Sequence, residues 1–136
     1  MPYRPMQTTD FCIDVPTSPL YNQTVDRSQF LPALTANSTE PMRRDLHVNG
    51  DQAYQQGLFI DHNPQNRSGA GSCIFMHLWQ SPTTATAGCT AMAKPQLSAL
   101  LRWLDPAKQP LYVLLPKQQY QLLRQTWQLP ELPVSQ

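Results

Sequence analysis

GSCIFMHLWQSPTTATAGCTAM, residues 71–92, combines the clearest strand pattern of this chain with its most reactive side chains. The run CIFMHLW, 73–79, is short and apolar, as expected for a strand in a buried sheet. A period of two places alternate residues on opposite faces. The face that we assign to the core carries Ile74, Met76 and Leu78. The opposite face, which we predict to form the floor of a cleft, carries Cys73, Phe75, His77 and Trp79.

A thiol nucleophile is predicted in the loop that follows this strand. His77 lies near the end of the strand, and Cys89 follows twelve residues later, after a loop of small polar residues. A neighbouring imidazole can take the proton of a thiol, and the thiolate can then attack a carbonyl carbon. Taken without any resemblance to a known family, one histidine and one cysteine at this spacing are a weak signal, and a core histidine with an inert buried cysteine is the favoured interpretation.

Two neighbours of Cys89 are candidates for supporting roles. Gly88 lets the backbone approach a substrate closely, and the backbone N–H of Cys89 is placed to donate to a developing oxyanion. Thr86, three residues before the cysteine, offers a hydroxyl that can orient the imidazole or the substrate.

Composition predicts a single domain over residues 1–136 and excludes several classes of partner. The net charge is +1 and only 14% of residues are charged, so the basic footprint of a nucleic-acid-binding protein is missing. No apolar run approaches the ~20 residues of a membrane span. We expect a core over about 11–115 and a C-terminal helix and tail over 116–136.

The three cysteines leave two redox states open. Cys12 pairs with Cys73 and leaves Cys89 free, or all three are reduced. A metal site is not predicted, because C-x-x-C and H-x-x-x-H pairs are missing. Cys73 and His77 lie ~13 Å apart along a strand, too far to share a zinc ion. We expect no cofactor, with His47 and His62 on the surface or in loops.

The flanking patterns predict short elements, because 14 prolines interrupt the chain. A buried strand is predicted at GLFID, 57–61, and another at LYVLL, 111–115. A helix is predicted to begin at Pro95 and to stop at Asp105, because its leucines recur with helical spacing. A second amphipathic helix is predicted over 116–127, followed by an extended tail over 129–136.

GSCIFMHLW followed by a Pro/Thr loop and TAGCTAM resembles the catalytic segment of the L,D-transpeptidase (YkuD-type) family. The resemblance is to a divergent branch in which a G-S-x-I-F-x-H strand leads to P-T-x-G-C-x-A. The segments FCIDVPTSPLYNQ, 11–23, and GLFIDHN, 57–63, are similar to two upstream segments of that branch. Two positions depart from the main branch: Ala87 replaces a histidine, and Ala91 replaces a basic or amide residue.

This resemblance implies a mainly β, YkuD-like sandwich with flanking helices that lacks the N-terminal strands of the family domain. An upstream segment or a dimer partner would complete the sheet. The implied substrate is the peptidoglycan stem peptide. The implied location is the periplasm or cell envelope, with the export signal outside this chain.

The resemblance also implies a reaction and a set of roles. Cys89 would be the nucleophile that forms a thioester on a stem tetrapeptide, and a neighbouring stem peptide would resolve it into a 3→3 crosslink. His77 would act as general base and then acid, and carbapenems would trap the thiol. Gly88 and Thr86 would serve the oxyanion or orientation, and substrate contacts would come from Trp79, Tyr21 and Asn63. The alternatives are an L,D-carboxypeptidase or other cysteine hydrolase of stem peptides, and a non-catalytic peptidoglycan-binding module.

Overall fold

The computed structural model describes residues 3–133. Two three-stranded sheets are accompanied by short helices, as predicted in outline. Helix accounts for 24% of the chain and strand for 14%, so the observed architecture is mixed α/β and not the mainly β one that was expected. None of the helices in the described part of the chain is long and apolar enough to cross a bilayer.

The N-terminal sheet has the strand order β2-β1-β3, with both pairings antiparallel. Its strands are β1 (Asp10–Cys12), β2 (Thr24–Asp26) and β3 (Glu40–Pro41). The segment after β2 forms a 3-10 turn, Arg27–Gln29, and two short helices, α1 (Pro32–Thr35) and α2 (Arg44–His47), flank β3. Every residue of the central strand β1 is buried, so this sheet forms around it.

The second sheet has the order β4-β5-β6 and contains the predicted catalytic strand at its centre. Its strands are β4 (Gly57–Phe59), β5 (Phe75–Leu78) and β6 (Thr90–Met92). Strand β5 runs antiparallel to β4 and parallel to β6. The strands predicted at 57–61 and 73–79 are therefore confirmed, each with tighter bounds.

Strand β5 is buried on both faces, whereas the sequence predicted one core face and one open face. Met76 and Leu78 pack with Leu97 in one apolar cluster, as expected for the core face. On the other face, Phe75 is only 5% exposed and packs with the N-terminal sheet in a second cluster. The predicted open floor is therefore restricted to the end of the strand, because the N-terminal sheet covers its beginning.

A disulfide joins the two sheets. Cys12 at the end of β1 is bonded to Cys73, two residues before β5, with Cα atoms 5.9 Å apart. Cys89 is the free cysteine, so one of the two redox states left open by the sequence is the one observed.

The predicted leucine-striped helix is α3, Lys94–Trp103. Pro95 lies in its first turn, where a missing backbone N–H costs no hydrogen bond, and Leu97 is fully buried against β5. A 3-10 turn, Pro106–Lys108, follows it. The second predicted helix is α4, Lys117–Leu123, shorter than 116–127. The tail is irregular through 133, and residues 134–136 lie outside the described part.

The strand predicted at 111–115 is wrong. The segment LYVLL has no regular structure, and Leu111 is 93% exposed. A strand forms only where a neighbour supplies backbone hydrogen bonds, and within residues 3–133 no strand pairs with this segment. Its contact with the second sheet is a side-chain hydrogen bond between Tyr112 and Thr90.

Candidate active site

The pairing of β5 with β6 brings Cys89 next to strand β5, which carries His77. Met76 pairs with Thr90 and His77 with Ala91, so Cys89, one residue before β6, lies beside Phe75. The backbone N–H of Phe75 donates to the Cys89 sulfur at 3.4 Å. The thiol is in turn 3.5 Å from the Cys73 carbonyl oxygen, which accepts its proton. The sulfur is therefore held by the backbone of the strand that carries His77.

Cys89 and His77 line one cleft of about 230 Å³. This volume is below the ~300–1,000 Å³ of sites for drug-sized ligands, so the cleft fits a short piece of a peptide. Trp79, whose side chain is 37% exposed, also lines this cleft, as predicted. The loop over 84–87 forms another wall. Of the residues predicted to form the site, the structure therefore brings His77, Trp79 and Cys89 into one cleft.

The orientation of His77 identifies its basic nitrogen. Its Nδ1 lies 2.8 Å from the Leu78 carbonyl oxygen. A carbonyl oxygen only accepts, so Nδ1 carries the proton and Nε2 holds the lone pair of the neutral ring. The sulfur of Cys89 has its hydrogen bonds with the backbone of Phe75 and Cys73, and His77 is not among its partners in the described structure. Both residues line the same cleft, so a water molecule or a substrate group bound there can link the thiol to the imidazole.

The resting thiol is protonated. Burial is the largest influence on Cys89 and raises its pKa above the ordinary value, and the nearby Glu40 carboxylate acts in the same direction. The Phe75 N–H, which donates to the sulfur, and the nearby Tyr54 hydroxyl lower the pKa but do not offset the burial. The surroundings of Cys89 therefore favour the neutral thiol, which needs a base to react.

A charged network from the N-terminal half forms the wall opposite the loop. Arg44 donates through Nε at 3.0 Å and Nη2 at 2.7 Å to one carboxylate oxygen of Asp51. Its remaining Nη1 is 3.8 Å from Glu40 Oε1. The guanidinium also lies over the Tyr54 ring, 5.3 Å from its centroid. Sequence reasoning did not assign these residues to the site.

The four network residues carried only a weak signal in the sequence. Glu40 and Arg44 are four residues apart in a polar basic segment, a spacing that also occurs on any solvated helix. Tyr54 and Asp51 lie in a stretch without periodicity. Their meeting depends on how β3 and the segment before β4 pack beside β5.

Thr86 and Gly88 influence the backbone of the loop that leads to Cys89. The Thr86 hydroxyl donates to the Cys89 carbonyl oxygen at 2.5 Å, so it orients the loop that carries the nucleophile. A side chain at Gly88 would place its Cβ 3.3 Å from Ile74 Cδ1, which is tighter than an ordinary contact. Both residues therefore position the backbone at Cys89.

Tyr21 and Asn63, expected to bind substrate, do not line the cleft. Tyr21 is buried, 5% exposed, beside the turn that joins β1 to β2. The Asn63 side-chain amide donates to the carbonyl oxygens of Arg67 and Gly71 and so holds the 61–73 loop. The adjacent Asn22 side chain donates to the Asn63 carbonyl oxygen, which ties the two segments together. Asn63 therefore supports the loop that leads into β5, and Tyr21 is part of the buried core.

The other two histidines lie apart from the cleft, as the sequence predicted. His47 is exposed, with Nε2 2.9 Å from the Thr8 carbonyl oxygen. His62 is also exposed, with Nε2 3.0 Å from the Ala70 carbonyl oxygen. Within residues 3–133, three or more His, Cys, Asp or Glu side chains are not grouped in the way metal ligands are.

No family model, curated protein or solved structure matches this chain.

Proposed function

We propose that this chain is a cysteine-dependent acyltransferase of the L,D-transpeptidase type that acts on peptidoglycan stem peptides. The observation that carries the proposal is that the free thiol of Cys89 and the imidazole of His77 lie in one cleft, with Cys89 directly before the strand that pairs with β5. The similarity of residues 71–92 to the YkuD-type catalytic segment suggests which carbonyl the thiol attacks.

The proposed reaction has two transfers. His77 Nε2 takes the Cys89 proton as the sulfur attacks the carbonyl of the third, diamino-acid residue of a stem tetrapeptide. The same nitrogen then protonates the leaving amine of the terminal D-residue, and a thioester remains on Cys89. An amine of a neighbouring stem peptide attacks the thioester, gives its proton to His77 and restores the thiol, leaving a 3→3 crosslink. Catalytic hydrogen bonds are often long without substrate, which fits the separation of the two side chains.

One structural feature supports the cell-envelope part of the proposal. The Cys12–Cys73 disulfide fits an oxidising compartment such as the bacterial periplasm. A trapped acyl-enzyme is the more direct test, because it needs only the thiol and its cleft.

Incubation with imipenem should give one adduct by intact mass, and peptide mapping should place it on Cys89. The β-lactam carbonyl opens onto the thiolate, and the leaving amine stays tethered, so hydrolysis is slow. Cys89→Ser should lose the adduct, since a hydroxyl beside this imidazole is a poorer nucleophile. Thr90→Ala is a matched control, because its hydroxyl contacts Tyr112 outside the cleft. An adduct at any other residue would overturn the assignment of the nucleophile.

Product analysis on muropeptides separates the proposed transfer from its alternatives. A 3→3 linked dimer supports the transpeptidase. Release of the terminal D-residue without a dimer indicates the L,D-carboxypeptidase, in which water replaces the amine. A folded protein that gives neither product nor imipenem adduct is a binding module, and the acyltransferase proposal then fails.

A further inference from the structure

Tyr54 contacts both the charged network of the cleft, through Arg44, and His77. Its ring makes edge contacts with the rings of Phe75 and His77, with centroids 5.6 and 5.2 Å apart. The Arg44 guanidinium covers it at 5.3 Å. The ring is thus held by three neighbours, and it packs against the same apolar cluster as Cys89. Tyr54 and Cys89 line the same cleft, and the Tyr54 hydroxyl acts to lower the pKa of the Cys89 thiol.

Glu40 reaches the same place from strand β3. Its Oε1 is buried without a hydrogen-bond partner, 3.8 Å from Arg44 Nη1. The other two guanidinium nitrogens of Arg44, Nε and Nη2, donate to Asp51, and Arg44 makes no hydrogen bond to Glu40. Glu40 and Tyr54 line the same cleft, where burial is the largest influence on the Glu40 carboxyl and raises its pKa, and the Tyr54 hydroxyl acts in the opposite direction.

We propose that Tyr54 and Glu40 are positioning residues that control the reactivity of the Cys89 thiol in opposite directions. A phenol has a single O–H to donate. When that proton points to the sulfur, it stabilises the thiolate. An ionised Glu40 competes for the same proton and repels the thiolate, so it disfavours ionisation. The role of this pair in catalysis rests on the proposed function. Its effect on the ionisation of the Cys89 thiol does not.

The electrostatic surroundings agree with these roles. Burial raises the pKa of Tyr54 far above its ordinary value, so the hydroxyl keeps its proton and acts as a donor. Burial also raises the pKa of Glu40, and the neutral carboxylic acid can itself donate to Tyr54 and leave the phenol proton for the sulfur. The charged groups that face Glu40 are Asp14, Arg44 and His77, with Cys89 and Tyr54 as the titratable neighbours in the cleft.

Alkylation of Cys89 by iodoacetamide as a function of pH tests the proposal on the intact, non-reduced chain. Cys12 and Cys73 are in a disulfide, so a single carbamidomethyl group reports on Cys89. Tyr54→Phe keeps the ring but removes the donor, and the alkylation profile should move to higher pH. Glu40→Gln removes the charge, and the profile should move to lower pH. Each unit of displacement changes the rate at a fixed neutral pH about tenfold.

Two matched variants serve as controls. Tyr112→Phe deletes a hydroxyl that contacts Thr90 outside the cleft, and Glu131→Gln deletes a carboxylate that is 81% exposed. Both should keep the wild-type profile. Thermal unfolding of every variant establishes that it is folded. If one of the two test variants does not fold, the direction in which the other variant's alkylation profile moves still tests the proposal.

Profiles that coincide with wild type, or that move in the same direction for Tyr54→Phe and Glu40→Gln, would overturn the proposal. Opposite displacements in a protein that forms neither an imipenem adduct nor a muropeptide product would leave this inference standing and refute the acyltransferase. A Tyr54→Phe enzyme with wild-type alkylation but reduced turnover would show a substrate contact, which contradicts the positioning role.

Discussion

The backbone N–H of Phe75 donates to the sulfur of Cys89 at 3.4 Å, and this bond anchors the candidate nucleophile to the central strand β5. A main-chain donor is retained in every side-chain variant of the site. Substitutions of the surrounding side chains therefore test how the thiol is activated, while the thiol itself stays in place.

His77→Ala should abolish turnover, with a loss of about 10²–10⁴-fold, because the buried thiol depends on a base for its deprotonation. Alkylation of Cys89 near neutral pH should also slow. His47→Ala is the control, since His47 is exposed and contacts Thr8 outside the cleft. Unchanged alkylation and turnover in His77→Ala would make His77 a structural residue.

Loss of the Cys12–Cys73 disulfide should lower the free energy of unfolding by about 4 kcal/mol. The bond spans a sequence separation of 61 residues, so its removal frees a long loop in the unfolded chain. Urea unfolding of the Cys12→Ser/Cys73→Ser double variant measures the change. Thiol counting on denatured, non-reduced protein should find one thiol, that of Cys89, and a count of three after oxidising expression would contradict the bond.

Glu40→Gln should remove a pH dependence of stability. Burial raises the pKa of Glu40 in the folded chain above the value of 4.5 of an unperturbed glutamate. Between the unfolded and folded pKa values the native state binds more protons, so wild-type stability falls as pH rises through that window. Urea midpoints from pH 4 to 8 should show wild type losing stability relative to Glu40→Gln. The exposed Glu131→Gln should follow wild type, and a parallel course for all three proteins would contradict the burial of Glu40.

Leu97→Ala should destabilise the fold by about 2–5 kcal/mol, because Leu97 is fully buried between α3 and β5 and its truncation leaves a cavity. The matched control is Leu122→Ala in α4, where the side chain is 73% exposed and the change should be small. Thermal and urea unfolding measure both. Equal effects in the two variants would mean that α3 does not form this half of the core.

Local pattern was sufficient to predict β5 and α3, whereas the assignment of Cys89 and His77 to one site came from the similarity of residues 71–92 to a catalytic segment, and the structure places both in one cleft. A period of two over 73–79 and the leucine spacing after Pro95 reflect which backbone geometry buries those side chains, and that information is contained in neighbouring residues. The short loop between His77 and Cys89 limits how far apart the two can lie.

The remaining features depend on contacts between distant segments. Glu40 and Tyr54 join the site because β3 and the segment before β4 pack against β5, and no local pattern records that approach. The segment 111–115 has the composition of a strand but lacks a paired neighbour, so it forms no strand. Local sequence determines which faces of an element are apolar. Only the tertiary structure decides what covers each face, because burial and hydrogen bonding are shared between residues that are far apart in the chain.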